Sequence, residues 1–425
     1  MMRILIWTFS QNYRRNHSLI NAGEKWHYYI SAFIARRLYF LYIPLRNHLH
    51  KKKYLISINN ISNAVGHLYP EVDYICRMKK VGLISPEYTV ICIWPKNPIN
   101  KGFIQAIKNK NINKEVIFIL SGFLDLLIFP MLLRFPELTI NASQSSLNHS
   151  IDWNDKKKSY GKQLSYSEVF RIRQAEYFKL RRKTKNYYPL KNNLKLDDDL
   201  KFFLGFDKYY VVQIKDKAVN ATAKPLNPET YLPTIEKIIQ DGYGVVFAGR
   251  EKIPECFKIL GVVNYSESHF ANSYNDYCLV INSEGVIASA SGFCYIPDLL
   301  GIPLLSLNNW CLLGYAGSRT IQIPTVINLK DHTPIKFKDQ LKLAYQIGQI
   351  NDENNTLRQN YEIIDATEVD IIEGYKELKI NFLNGEIVDI EKVQIRFNEL
   401  FPNESIFYQM SRISKSFLQN NIERF

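Results

Sequence analysis

The chain has 425 residues, 46% hydrophobic and 22% charged, a globular composition that excludes wholesale disorder. Fifty-four Lys and Arg against 41 Asp and Glu leave a net charge of +13, so the expected partner is anionic: a nucleotide phosphate, a nucleic acid or an anionic membrane. The six cysteines (Cys76, Cys92, Cys256, Cys278, Cys294, Cys311) form no CxxC pair and no zinc spacing, and read as reduced core residues of a cytosolic protein.

Residues 1–53 stand apart. Up to residue 60 there are ten basic residues and one acid, Glu24. The apolar segment from Trp26 to Leu45 carries Arg36 and Arg37 in its middle. Each would cost about 2.5–3.5 kcal/mol at the centre of a membrane helix, which argues against a span. No small-residue cleavage site follows, so a cleaved signal peptide is not expected either. The pattern predicts a helix lying on an anionic membrane surface, with a basic helix packed on the domain surface as the alternative.

From Lys53 strand and helix alternate. Tyr54 to Asn60 reads as a strand and Ile61 to His67 as a polar loop. Leu68 to Val81 reads as a helix with Leu68, Val72, Ile75 and Met78 on one face. A strand at 87–94, a helix at 101–109 and a strand at 116–120 continue the series, which predicts a parallel sheet. The apolar run 122–138 contains Asp125 and Pro130 and reads as a buried helix. Residues 171–188 read as a basic helix, and 191–203, with Asp197, Asp198 and Asp199, as a linker. A second series then opens with the strand Tyr209 to Lys215. A helix at 229–240 and a strand at 244–248 follow, the latter closing on Gly249 and Arg250. A helix near 276–281 leads to the small-residue run Ala288 to Ser291, the turn at Gly292, a helix from Cys294 to Leu300 and a strand from Pro303. Beyond Asp331 the pattern is helical, with a last helix at 404–420. The domains expected are therefore a membrane-surface segment (1–53), an N-terminal Rossmann-like domain (54–200), a C-terminal Rossmann-like domain (201–330) and a helical region (331–425).

Parallel strands bring their carboxyl ends to one edge, where ligands of open α/β sheets bind. Four strand-end features of the second series therefore converge: Lys215, Gly249 with Arg250, Ser291 with Gly292, and Asn308 with Asn309. The basic side chains suit a diphosphate, and the backbone of a Ser-Gly turn offers N–H groups to its oxygens. The other reading of the small residues is close packing of helix on strand. Nucleic acid is not an expected partner, because the charge gathers in the amino terminus and the 150–200 region without an interleaved aromatic motif of the nucleic-acid-binding kind.

The run 241–310 resembles the carboxyl-terminal domain of GT-B glycosyltransferases, and more narrowly a bacterial family found among surface-polysaccharide (O-antigen or capsule) gene clusters. The residues that carry the likeness are Gly249, Asn264-Tyr265 with Ser268, Asp276, Ser291-Gly292, Gly301-Ile302-Pro303 and Asn308 or Asn309. The amino-terminal GHLYPEVDYICRMKKVG is similar to that family's first-strand loop and helix. One departure is Lys215-Asp216, where the family pattern has an arginine-acid pair.

The resemblance implies an α/β, GT-B-like fold: two Rossmann-like domains facing a cleft, braced by C-terminal helices. It implies an enzyme that moves a sugar from a nucleotide-sugar donor to a glycan or lipid-linked acceptor, with no cofactor beyond the donor and no metal. The donor site would comprise Lys215, Gly249, Arg250, Ser268, Asp276, Ser291, Gly292, Asn308 and Asn309. An inverting transferase also needs a base beside the acceptor hydroxyl, and His67, Glu71 and Asp73 after the first strand are the candidates. Location would be cytoplasmic, peripheral to the inner membrane. A sugar-nucleotide epimerase or hydrolase of the same fold, and a non-catalytic membrane-associated nucleotide-binding or scaffolding protein, remain open alternatives.

Overall fold

The computed structural model describes residues 37, 40, 43–58, 65–94, 101–108, 116–120, 138, 177–191, 193–215, 226–309, 317–347, 359–382, 392–400 and 411–425. Most of the Trp26–Leu45 segment, the expected helix at 122–137 and the start of the 171–188 helix lie outside them. The chain divides into two compact units. One is drawn from Met1–Ser62, Gly82–Pro98 and Ile112–Arg173, the other from Asn63–Val81, Ile99–Asn111 and Gln174–Phe425.

The first unit holds a three-stranded parallel sheet in the order β1 (Tyr54–Ile58), β2 (Thr89–Trp94), β3 (Val116–Leu120). Tyr54 pairs with Thr89 and Val90 with Val116. Helix α1 (Ile43–Lys51) leads into it. Lys53, at φ 54, makes the turn between them, and its ammonium pairs with Glu87 just ahead of β2.

The second unit is built on seven parallel strands. In chain order these are β4 (Tyr209–Gln213), β5 (Gly244–Phe247), β6 (Val263–Asn264), β7 (Gly285–Ser289), β8 (Leu304–Leu307), β9 (Thr320–Ile323) and β12 (Arg412–Ile413). Their order across the sheet is β12-β9-β8-β7-β4-β5-β6. The chain steps outward from β4 to β6, returns to lay β7 against the other side of β4, and then steps outward in the opposite direction. This is the doubly wound arrangement, with its switch point between β4 and β7. Strands β4, β5, β7, β8 and β9 are buried along their whole length, as central parallel strands covered on both faces must be. The core runs through Val212, Phe247, Ile287, Leu305 and Ile321 to Ile371 and Tyr375 of a later helix.

Two helices from the amino-terminal half belong to this second unit. Helix α2 (Val65–Lys80) buries Val72, Ile75 and Cys76. It begins at Val65, so the expected loop stops short of His67. Helix α3 (Lys101–Lys108) meets the start of a helix spanning Ser273–Ile281, where the Gly102 N–H donates to Ser273 Oγ at 3.1 Å. A Cβ on Gly102 would stand 2.5 Å from the Tyr274 nitrogen, so that approach requires glycine.

The expected linker is instead helix α4 (Asp198–Leu204). Asp197 caps its N-terminus, Leu200 and Leu204 bury one face, and Gly205 at φ 71 ends it. The triple aspartate that suggested a linker is a helix start: a cap followed by first-turn acids that complement the dipole.

Next come the 3-10 turn Pro228–Tyr231, α5 (Leu232–Gln240), α6 (Glu255–Ile259), α7 (Ser273–Ile281), the 3-10 turn Gly292–Cys294 and α8 (Tyr295–Leu300). The region beyond Asp331 is not all helical. β10 (Val326–Leu329) pairs antiparallel with β11 (Tyr361–Ile364), between α9 (Phe337–Ile347) and α10 (Glu368–Phe382). Helix α11 (Lys392–Glu399) follows; of the expected final helix at 404–420, the part before residue 411 lies outside the described residues, and the rest is the edge strand β12 and then α12 (Lys415–Asn420). These strands are two to four residues long, too short for period-two alternation to register.

Candidate functional site

Three strand ends meet at the switch point. Gln213, the last residue of β4, is buried, and its side-chain amide folds back onto the Ile214 carbonyl. Ser291, two residues beyond β7, donates its hydroxyl to Gln213 Oε1 at 3.1 Å. The same Ser291 oxygen accepts from the Phe293 N–H at 3.2 Å, capping the 3-10 turn that opens at Gly292. From β5, Gly249 approaches at φ 122, a left-handed conformation that favours glycine. An added Cβ there would lie 3.0 Å from Gln213 Cγ.

Ser289, at the end of β7, accepts from the Lys215 N–H at 3.3 Å and shares a hydrogen bond of 2.9 Å with the Tyr231 hydroxyl. Burial holds the Tyr231 phenol protonated, well above its ordinary range. Gln213, Ser289 and Tyr231 were not among the expected site residues. Inside a near-continuous apolar strand Gln213 was the one polar break, and that signal could have found it.

Beyond Gln213 opens a cavity of about 530 Å³, lined by Ile214, Leu226, Asn227 and Pro228 on the β4 side and by Lys252 and Pro254 after β5. Its size falls in the range of small-molecule pockets. Arg250 is exposed, and its positive charge acts on Asp276 of α7. Burial pushes the Asp276 carboxyl up to about 6, and the hydrogen bond from Tyr265 and the Arg250 charge only partly oppose that rise.

The Asn264-Tyr265, Ser268 and Asp276 segment is drawn together by one side chain. Tyr265 is buried, and its hydroxyl donates to Asp276 Oδ1 at 3.0 Å and accepts from the Asn272 N–H at 3.3 Å. Ser268 closes the turn by donating to the Tyr265 carbonyl at 2.8 Å. In this structure Ser268 and Asp276 shape the loop between β6 and α7.

Asn308 and Asn309, expected at the same edge, are buried with their amides engaged. Asn308, at φ 56, donates to Asp365 at 3.1 Å and accepts from the Ala366 N–H at 3.0 Å. Asn309 donates to Gln322 of β9 at 3.3 Å. They tie β8 to the segment after β11 and to β9. The strand ends that meet are thus those carrying Gln213, Lys215, Gly249, Arg250, Ser291 and Gly292.

Of the three candidate bases, Glu71 and Asp73 are fully buried on α2. Asp73 Oδ2 accepts from Arg77 Nε at 2.7 Å and from the Tyr177 hydroxyl at 2.6 Å. The His67 backbone lies in the first turn of α2, and its side chain lies outside what the structure describes. Helix α2 packs against the Gly292–Cys294 turn and α8.

Among the described residues no helix is long and apolar enough to cross a membrane. Among the described residues, Cys76, Cys92, Cys256, Cys278 and Cys294 form no disulfide.

No family model matches the chain. Eighty-five residues, 20% of the chain, are 27% identical to the bud site selection protein 3 of Debaryomyces hansenii and span 6% of that protein's length. Among solved structures, the ADP-heptose LPS heptosyltransferase II of E. coli is similar over 71% of this chain and 99% of its own, at 13% identity and a TM-score of 0.39. A family 9 glycosyl transferase of Veillonella parvula is similar over 78% and 98%, at 11% identity and a TM-score of 0.38. The UDP-GlcNAc 2-epimerase of Methanocaldococcus jannaschii is similar over 78% and 100%, at 12% identity and a TM-score of 0.30. The strand order described above, not these weak likenesses, carries the α/β fold.

Proposed function

We propose that the chain is a metal-independent GT-B glycosyltransferase that moves a sugar from a nucleotide-sugar donor to a glycan or lipid-linked acceptor of a cell-surface polysaccharide. One observation carries the donor half of this reading. At the switch point of a doubly wound sheet, Ser291, Gln213 and Gly249 are tied into a polar edge beside a nucleoside-sized cavity, with Lys215 and Arg250 next to it. The nucleoside occupies the cavity between Leu226 and Pro254, and the diphosphate lies along the Ser291-Gly292 turn.

Transfer requires the acceptor oxygen to attack the anomeric carbon while the bond to the diphosphate breaks. Lys215 and Arg250 take up the negative charge left on the diphosphate, which is why no metal is invoked. The acceptor proton goes to a base. His67 is the assignment, because the Asp73 carboxylate is held by Arg77 and Tyr177 and Glu71 has no exposed surface. The exposed Ile43 and Leu45 of α1, among Arg46, Lys51, Lys52 and Lys53, support peripheral binding to anionic lipid on the cytoplasmic face.

The test is a thermal-shift screen against UDP, GDP, ADP, CMP and their common sugar conjugates, followed by transfer from a labelled donor in EDTA. A bound nucleotide raises the melting temperature with the logarithm of its excess over Kd. A hit that disappears in Arg250→Ala supports the donor site. Silence across the panel with folded protein overturns it.

A further inference from the structure

Behind the Ser291-Gly292 turn the core holds a cluster of charges. On α2, Asp73 and Arg77 are 0% and 1% exposed; on the stretch 177–183, Arg181 is 1% exposed; on α8, Asp298 is 2% exposed. Arg77 donates to the Thr184 carbonyl at 2.8 Å, the Thr184 hydroxyl at 2.6 Å and the Tyr187 carbonyl at 2.6 Å. Arg181 pairs through Nη1 with the Asp298 carboxylate and through Nη2 with the Asp298 carbonyl at 3.2 Å. The second carboxylate oxygen of Asp298 accepts from Thr320 Oγ1 at 3.1 Å, at the first residue of β9.

Two cations and two anions balance, but the set is not fully satisfied. Arg181 Nε and Asp73 Oδ1 are buried without hydrogen-bond partners, and Nε stands 4.0 Å from the other Asp73 oxygen. Apolar side chains of equal volume would hold these elements together at least as well, because burying charge costs much of what pairing returns. What an ion cluster adds is geometry. A guanidinium fork that grips both the side chain and the backbone carbonyl of one residue fixes that residue along and across its helix.

The gripped residue sits seven positions after Ser291, on the short helix that continues from the Gly292 turn. Asp298 is also wedged from the other side. A Cβ on Gly317 would come within 2.0 Å of Asp298 Oδ1, so the chain before β9 closes directly over it. Tyr188 adds a second clasp, bonding Ser318 at 2.8 Å and filling the space where a Gly301 side chain would stand.

We propose that Arg181 and Asp298 are positioning residues for the donor crevice: their buried pair, backed by Asp73, Arg77 and Thr320, holds α8 in place and thereby fixes the Ser291-Gly292 turn against Gln213. This rests on the donor-site reading above. The two residues touch no donor atom; they act through the turn. Preorganised contacts of this kind lose effect steeply with misplacement, and a shift of about 1 Å is able to cost a factor of about 100.

The experiment is isothermal titration of the full chain with the nucleotide that binds best among ADP, UDP, GDP and CMP, together with donor KM and kcat. Asp298→Asn keeps the shape and removes the charge. It is expected to weaken nucleotide binding at least tenfold and to raise donor KM with kcat at saturation nearly retained. Thr320→Val removes one hydrogen bond and is expected to weaken binding several-fold; it decides the matter if Asp298→Asn does not fold. Asp241→Asn, which breaks a charge network at the far end of α5, is the control for simple destabilisation and is expected to bind as wild type does. Wild-type affinity in both test variants overturns the proposal, and so does an equal loss in the control. If the wild-type chain binds none of the four nucleotides, the donor-site reading fails and takes this proposal with it.

Discussion

Ser291 Oγ donates to Gln213 Oε1 across 3.1 Å, joining the ends of the two strands, β7 and β4, from which the chain winds in opposite directions. The bond closes the floor of the crevice. Ser291→Ala removes it together with the cap on Phe293, and is expected to cost about 1–2 kcal/mol in urea unfolding. Ser291→Trp fills the crevice instead. It should abolish nucleotide binding while the far-ultraviolet circular dichroism stays that of wild type; normal binding would place the donor elsewhere.

Gly249 combines a φ of 122 with a side-chain space occupied by Gln213. Gly249→Ala is therefore strained in its backbone and also presses on Gln213. The expected cost is about 1–3 kcal/mol in unfolding free energy, with weaker nucleotide binding from the displaced Gln213. Titration and denaturant unfolding on the same sample separate the two effects.

Burial raises Asp276 from 3.8 to about 6 in the folded protein. A carboxyl raised on folding favours the native state where it is protonated. That contribution is complete below about pH 4 and is lost as pH rises through 6. Asp276→Asn keeps an acceptor for Tyr265 and cannot ionise. It should raise the unfolding free energy at pH 7.5 by about 1–3 kcal/mol, with little gain at pH 4. An equal gain at both pH values would mean that Asp276 does not ionise at a cost.

Asp241 is the opposite case. Burial disfavours its charge, but hydrogen bonds from Lys237, Lys379 and Tyr375 outweigh that and hold it down at about 2. Its contribution is present above about pH 4 and is lost as pH falls toward 2. Asp241→Asn should lower the melting temperature at pH 7 and make the acid limb shallower, as followed by fluorescence between pH 2 and 7.

Helix α1 exposes Ile43 and Leu45 beside a run of basic residues. Replacing both with aspartate should release the protein from vesicles of anionic lipid in a flotation assay without changing its unfolding. Retained flotation would remove α1 as the anchor.

The parts of the fold that could be read in advance are those where the chemistry of burial is repetitive. Tyr209 to Gln213 and Gly244 to Phe247 are nearly uninterrupted apolar runs because both sheet faces are covered. The Ser291-Gly292 turn and the αL cap at Gly301 announced themselves through small residues whose backbone geometry others tolerate poorly. What stayed hidden depends on distant partners. Asp197 looked like part of a charged linker until Leu200 and Leu204 found a core to face. Strand β12 is two residues long and exists only because β9 offers it an edge. Asp73 resembles a cleft carboxylate in sequence, and nothing near it reveals Tyr177, 104 positions later, as its partner. Asn308 likewise reads as a ligand until Asp365 and Ala366 are seen to occupy it.

Membership of α2 in the second unit has a consequence for the order in which the molecule is made. Arg77 leaves the ribosome 221 residues ahead of Asp298 (298 − 77), and at synthesis rates of about 5–20 residues per second that is a wait of roughly 10–45 s. Throughout that interval the apolar face of α2, with Val72, Ile75 and Cys76, has no α8 to cover it. The nascent amino-terminal half therefore includes a helix whose place is in the later unit. It carries an unsatisfied helix toward a partner not yet synthesised, which is the period in which a chaperone has something to hold.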